Sequence, residues 1–124
     1  MYSIRTDDAP APNGSYSQGA SAARYVFVSA QLPQDPRSGA LVDASVGAQA
    51  ALCLRNVEAV LADIDLTLAD ACELTVYLTD LGDLAIVDEV LAERIPRPYP
   101  ARTVVGAASL PLGASVQISC IACR

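Results

Sequence analysis

The chain has 124 residues, 8 cationic side chains against 14 acidic ones for a net charge of −6, and a hydrophobic share of 52%. That length suits one domain, 1–124, able to bury a core without disulfides or metal. The acidic balance argues against a nucleic-acid partner and against an anionic membrane surface. There is no His and every cation is Arg. Ser-His and Cys-His nucleophile pairs, imidazole metal ligands and Schiff-base or phosphate-loop lysines are therefore excluded.

Tyr2 to Thr6 reads as a short strand, followed by a Pro/Asn/Gly loop from Asp7 to Gly14. Arg24 to Ala30 is β-branched and aromatic and predicts a strand. Pro33, Asp35-Pro36 and Ser38-Gly39 then break the chain into turns. Val46, Ala50, Cys53, Val57, Val60 and Ile64 recur at steps of three and four. That spacing makes one apolar face of a helix of roughly five turns. Asp43 or Ser45 could cap it, and Gln49, Arg55, Asn56 and Glu58 read as its solvated face.

Glu73 to Thr79 predicts a strand, and Leu84 to Ile95 a second helix stopped by Pro96, Pro98 and Pro100. Arg102 to Ala108 and Ser115 to Cys123 read as two strands of a hairpin around Pro111-Leu112-Gly113. The order β-β-α-β-α-β-β predicts an α+β sandwich, with two helices on one face of a mixed sheet and the other face in need of a partner. No window approaches the ~18 apolar residues of a membrane span. Met1 to Pro10 carries Arg5, Asp7 and Asp8 where a signal core would be apolar. A cytoplasmic oligomer is expected.

Cys120 and Cys123 have C-x-x-C spacing, but residues three apart on a strand point to opposite faces. Small buried thiols are the favoured reading over metal or redox work. Arg102 lies in an otherwise apolar segment with Ala101, Val104 and Val105. It suits either a ligand carboxylate, which its two parallel donors match, or an internal Asp or Glu.

Four segments resemble the Rid family of reactive-intermediate deaminases, also called YjgF-like or L-PSP proteins. They are Ala9-Pro10 through Gly14-Ser15-Tyr16-Ser17-Gln18, Val26 through Pro33, Thr75 through Leu81, and Pro100-Ala101-Arg102-Thr103 running to Val116-Gln117-Ile118. The resemblance spans essentially the whole chain. It implies a chorismate-mutase-like fold and a homotrimer around a central β-barrel, with clefts between subunits. It further implies hydrolysis of small 2-imino acids of the 2-aminoacrylate type to 2-keto acids and ammonia, with no cofactor or metal.

Carried over residue by residue, the resemblance makes Arg102 the carboxylate anchor and sets Tyr16 and Ser29 in the pocket across the subunit boundary. Gln117 stands where the family has a glutamate that positions or activates water; an amide can orient water but cannot take up its proton. Asp88 stands where asparagine is frequent, and is otherwise a solvated helix residue. Val104 replaces a frequent cysteine, leaving its backbone groups to serve, and Ala30 replaces a glycine. Two functions fit these residues: an imine deaminase, weak or specialised because of Gln117, and a non-catalytic module that binds small carboxylates.

Overall fold

The computed structural model describes all 124 residues. Six strands, β1 (Tyr2–Ile4), β2 (Gly19–Ala22), β3 (Tyr25–Gln31), β4 (Ala71–Leu78), β5 (Ala101–Gly106) and β6 (Val116–Cys123), form one sheet in the order β1-β2-β3-β6-β4-β5. Helices α1 (Val46–Ala62) and α2 (Leu84–Arg94) complete the α+β architecture. Neither is long and apolar enough to cross a membrane.

Alternation sets the two faces of the sheet. Val26, Val28, Leu74, Val76, Leu78, Val116, Ile118, Cys120 and Ala122 point inward and are buried. They meet Ala50, Cys53, Leu54, Val57, Val60 and Leu61 of α1 in one core. The interleaved residues Tyr25, Phe27, Glu73, Thr75, Tyr77, Gln117, Ser119 and Ile121 line the opposite face, each exposed or half-buried. Tyr25 and Phe27 lie on it with ring centroids 6.4 Å apart. No element of the chain covers this face, as the element order predicts.

Ser45 rather than Asp43 caps α1, its side chain accepting a hydrogen bond from the Ala48 N–H. The opposite side of that helix is not all solvated. Gln49 is 3% and Asn56 1% exposed. The segment between β3 and α1 folds back on the flank of the helix, and these amides satisfy its backbone. Asn56 Nδ2 donates to the carbonyls of Leu32 and Gln34, both at 3.1 Å. Gln49 donates to the Val42 carbonyl and accepts from the Ser115 N–H. Helical periodicity separates apolar from polar but cannot tell a solvated amide from one that a loop will cover.

Strand β2, Gly-Ala-Ser-Ala, carries no strand propensity and was not predicted. It pairs with β3 from Gly19↔Val28 to Ala22↔Tyr25. The intervening two-residue turn puts Ala23 at φ 52°, a conformation usually signalled by Gly or Asn. A Cβ at Gly19 would come within 2.9 Å of Val60 Cγ1 and 3.2 Å of the Phe27 carbonyl, so only glycine lets β2 lie this close to α1.

The hairpin expected around Pro111 does not form. β5 runs parallel to β4, from Glu73↔Ala101 to Leu78↔Gly106, and β6 pairs antiparallel with β3 and β4. The burial patterns give the reason. Every second residue of β6 is buried, which suits a strand with neighbours on both sides, whereas five of the six residues of β5 are exposed. β5 therefore takes the edge and β6 the interior, and the chain crosses β4 between them through the Pro111–Gly113 turn.

Asn56→Ala is expected to lower stability by about 1–3 kcal/mol, because two part-buried hydrogen bonds are lost and the Gln34 carbonyl loses its side-chain partner, while the Leu32 carbonyl still accepts from the Gln34 N–H. Urea unfolding of the two proteins checks this; an unchanged midpoint would show that water replaces the amide.

Candidate functional site

The residues singled out in the sequence, Val104 apart, fall into two cavities of one chain. In the first, Tyr16, Ser29 and Gln117 line a cleft of about 380 Å³ whose walls include Ala30, Asn13 and Leu112. The bulge in β3 between Val28 and Gln31 breaks the ladder with β6 and turns Ser29 and Ala30 toward this space. Ser29 Oγ donates to the Ser17 carbonyl at 2.7 Å, and its lone pairs stay available to a ligand. The Tyr16 hydroxyl donates to Asn13 Oδ1 at 3.2 Å, and its ring is half in solvent. Gln117 arrives from β6 on the open face of the sheet.

Gln18 holds this cleft together, and sequence reasoning gave it no role. Its side chain is 1% exposed. Nε2 donates to the carbonyls of Thr6, Ala9 and Pro10, and Oε1 accepts from the Thr6 N–H at 2.7 Å. One amide thus fixes both ends of the loop that carries Tyr16. A glutamine among Gly and Ser residues gives no signal of this, because its partners are backbone groups about ten positions away.

The second cavity, of about 450 Å³, opens at the start of β5 between that strand and α2. Leu74, Leu91, Ile95, Tyr99 and Pro100 give it an apolar floor, and Arg102 and Asp88 stand in its wall. Arg102 is the register partner of Leu74 and so projects toward the helix side, where its Nη1 donates to Asp88 Oδ1. The side chains are 35% and 58% exposed, so the pair sits at the mouth of the groove and not inside it. Of the two readings of Arg102, the intramolecular carboxylate is the partner present, with a cavity beside it. Asp88 is accordingly no bystander in solvent.

Val104 lines neither cavity. Its side chain packs against the core, which leaves only its backbone for a role. No residue lines both cavities, and β4 stands between β5 and β6. Arg102 and Gln117 are therefore not brought together within one chain.

The thiols divide in the same way. Burial pushes the Cys53 pKa up strongly and that of Cys120 to about 12, so both are inert. Cys120 points into the core and Cys123 toward the open face, as expected for strand residues three apart.

The model of the Endoribonuclease L-PSP family matches residues 6–124. The RutC family protein y4sK of Sinorhizobium fredii is 40% identical over 118 residues, which cover 95% of this chain and 94% of that protein. The chloroplastic Reactive Intermediate Deaminase A of Arabidopsis thaliana is 37% identical over 96% of this chain and 64% of its own length. Among solved structures, RidA of an Antarctic Psychrobacter superposes with a TM-score of 0.96 at 37% identity, both chains being fully covered. TdcF of Escherichia coli, solved with bound serine, does so with 0.91 at 36% identity over 100% of this chain and 99% of that one. The mixed sheet with its two helices is thus the fold of RidA and YjgF structures, and the chain belongs to the Rid (YjgF, L-PSP) family.

Proposed function

We propose that this protein is a deaminase of small 2-imino acids, working in clefts assembled between copies of the chain. The observation that carries the reading is Arg102, whose guanidinium stands at the mouth of an apolar groove with a carboxylate already on it. Asp88 occupies the place that a ligand's carboxylate would take. The missing half of such a cleft exists elsewhere on the same chain, where Tyr16, Ser29 and Gln117 share a cavity. Docking the β5 edge of one copy beside the Tyr16 loop of the next would join the two halves. The uncovered sheet face, with Tyr25 and Phe27, offers the apolar surface for a homotrimer around a central barrel. The names of relatives agree: one is a reactive intermediate deaminase and another was solved with the amino acid serine.

In this cleft the imino acid lies with its carboxylate on Arg102 and its electrophilic C2 toward Gln117. An enamine such as 2-aminoacrylate first tautomerises to its imine. Water, held by the Gln117 amide, adds to C2: the carbon–oxygen bond forms as the carbon–nitrogen π bond opens, the nitrogen takes one proton of the water and then the other, and the carbon–nitrogen bond breaks to release ammonia and leave the 2-keto acid. Orientation supplies the acceleration, since the amide accepts a hydrogen bond from the water but cannot receive its proton. Tyr16 and Ser29 fix the plane of the substrate from the neighbouring copy. The chemistry needs no cofactor or metal, and it suits the cytoplasm, where pyridoxal enzymes release such imines. RNA cleavage, which the family's descriptive name suggests, fits less well: neither cavity offers an imidazole, a lysine or a basic track.

The second reading is a module that binds small carboxylates without turning them over, and Gln117 in place of a base is what favours it. A single experiment separates the two. An amino-acid oxidase generates the imine, and its disappearance is followed with and without the protein. Turnover that Arg102→Ala abolishes supports the deaminase, and Gln117→Glu should raise the rate about 10²-fold or more by restoring a base. If no variant exceeds buffer while 2-oxobutyrate binds calorimetrically in an Arg102-dependent way, the binding module is correct.

Asp88 and a ligand compete for one guanidinium. Asp88→Asn removes the rival charge, so the Kd for 2-oxobutyrate should fall roughly tenfold, about 1.4 kcal/mol. The same change should shift unfolding stability by less than about 1 kcal/mol, because the pair is half in solvent. Weaker binding by the variant would show that Asp88 holds Arg102 in place for the ligand instead of competing with it.

A further inference from the structure

Two of the four cysteines, 51 positions apart in sequence, lie together at one end of the sheet. We propose that Cys72 and Cys123 are a site of reversible oxidation, closing to a disulfide when a hydroperoxide reaches the reduced protein. Antiparallel pairing of β4 with β6 brings the start of one strand to the end of the other. The register runs Ala71↔Ala122 and then Glu73↔Ile121, so Cys72 is the extra residue of a bulge. A bulged residue is not committed to the ladder, and its Cα can shift to meet the narrow geometry of a disulfide. Cys72 is exposed, and Cys123 is half-buried on the open face of the last strand. Each sulfur otherwise makes only a weak contact with a nearby carbonyl, Cys72 with Asp70 at 3.8 Å and Cys123 with Arg124 at 3.7 Å.

The thiols also sense each other. Local desolvation, then the Cys123 thiol through its charge and a hydrogen bond, and then Asp70 push the Cys72 pKa up. Cys72 is therefore a thiol at neutral pH, so closure is favoured by proximity and not by an activated thiolate. The remaining cysteines cannot compete: Cys53 is 0% and Cys120 1% exposed.

The Cys72 sulfur, having released its proton, attacks one peroxide oxygen; the S–O bond forms, the O–O bond breaks, and the leaving oxygen takes a proton to depart as water or alcohol. The Cys123 sulfur, also deprotonated, then attacks the sulfenic sulfur. The S–S bond forms and hydroxide leaves, taking up a proton to become water. Two electrons pass from the sulfur pair to the peroxide, and a small thiol reverses the change by exchange. The crosslink fastens the bulge two residues before Leu74, the register partner of Arg102.

The test uses the purified full-length protein and hydrogen peroxide. The expected product is lighter by about 2 Da, the two hydrogens of an internal disulfide. Trypsin without reductant should link the peptide spanning 56–94 to that spanning 103–124, and fragmentation should place the bond on Cys123 and not on Cys120. Cys120→Ser should keep the link, whereas Cys72→Ser and Cys123→Ser should each lose it. The oxidised wild type should melt several degrees higher than the reduced protein, and dithiothreitol should reverse the shift. A protein that gains oxygen on separate thiols, forms only intermolecular disulfides, stays unchanged, or crosslinks through Cys120 would overturn the proposal. Imine turnover is not read, so the outcome is independent of the deaminase assignment.

Discussion

Strand β6 lies between β3 and β4, and most of what the molecule can do follows from that insertion. Its inward residues complete the core under α1, and its outward residues carry Gln117, Ser119, Ile121 and Cys123 onto a face that nothing in the chain covers. Because β6 takes the interior position, β5 is displaced to the edge. Arg102 therefore stands on a strand with one free side, next to α2 and away from Gln117. The two side chains also leave the sheet on opposite faces, Arg102 toward α2 and Gln117 onto the open side, so the separation is a product of strand order and strand alternation together.

The sequence made much of this legible and hid some of it for identifiable reasons. The strands other than β2 and both helices stand near their predicted positions, since β-branched alternation and three-to-four spacing are strong signals. β2 was missed because Gly-Ala-Ser-Ala is held by its neighbours and not by its own preference. The hairpin reading failed because strand partners were taken from proximity in sequence, a tendency rather than a law. Gln49 and Asn56 were read as solvated because burial of an amide depends on a loop that periodicity does not describe. In the candidate site, Tyr16, Ser29 and Gln117 do share one cleft, whereas Val104 lines neither cavity.

The Arg102–Asp88 pair gives the site its energetic character. A free guanidinium beside an apolar groove would hold any small carboxylate. One already bridged to a carboxylate at a half-exposed mouth releases that partner at modest cost, because water screens the pair and solvates Asp88 when it is displaced. The ligand must supply the difference through contacts Asp88 cannot make, such as those of a planar group on Tyr99 or across the boundary with Tyr16. A ligand that carries a positive or polar group beside its carboxylate would also find Asp88 favourable, whereas a simple acid meets only the obstruction.

The cysteines show that spacing in sequence is a poor guide to which thiols meet. C-x-x-C draws attention to Cys120 and Cys123, yet a strand sends those thiols to opposite faces, one into the core. Proximity comes instead from an antiparallel register that no local pattern contains, joining Cys123 to a residue two strands earlier in the chain. Beyond the bulge at Cys72 the register shifts by one residue and sets Tyr77 opposite Gln117 and Leu78 opposite Val116. A shift of one residue would turn every side chain of β6 over, burying Gln117 and exposing Ile118. The placement of the cleft amide is therefore fixed by the apolar residues of β4 and β6 that face α1, while the bulge at Cys72 lets the two strand ends depart from that alignment.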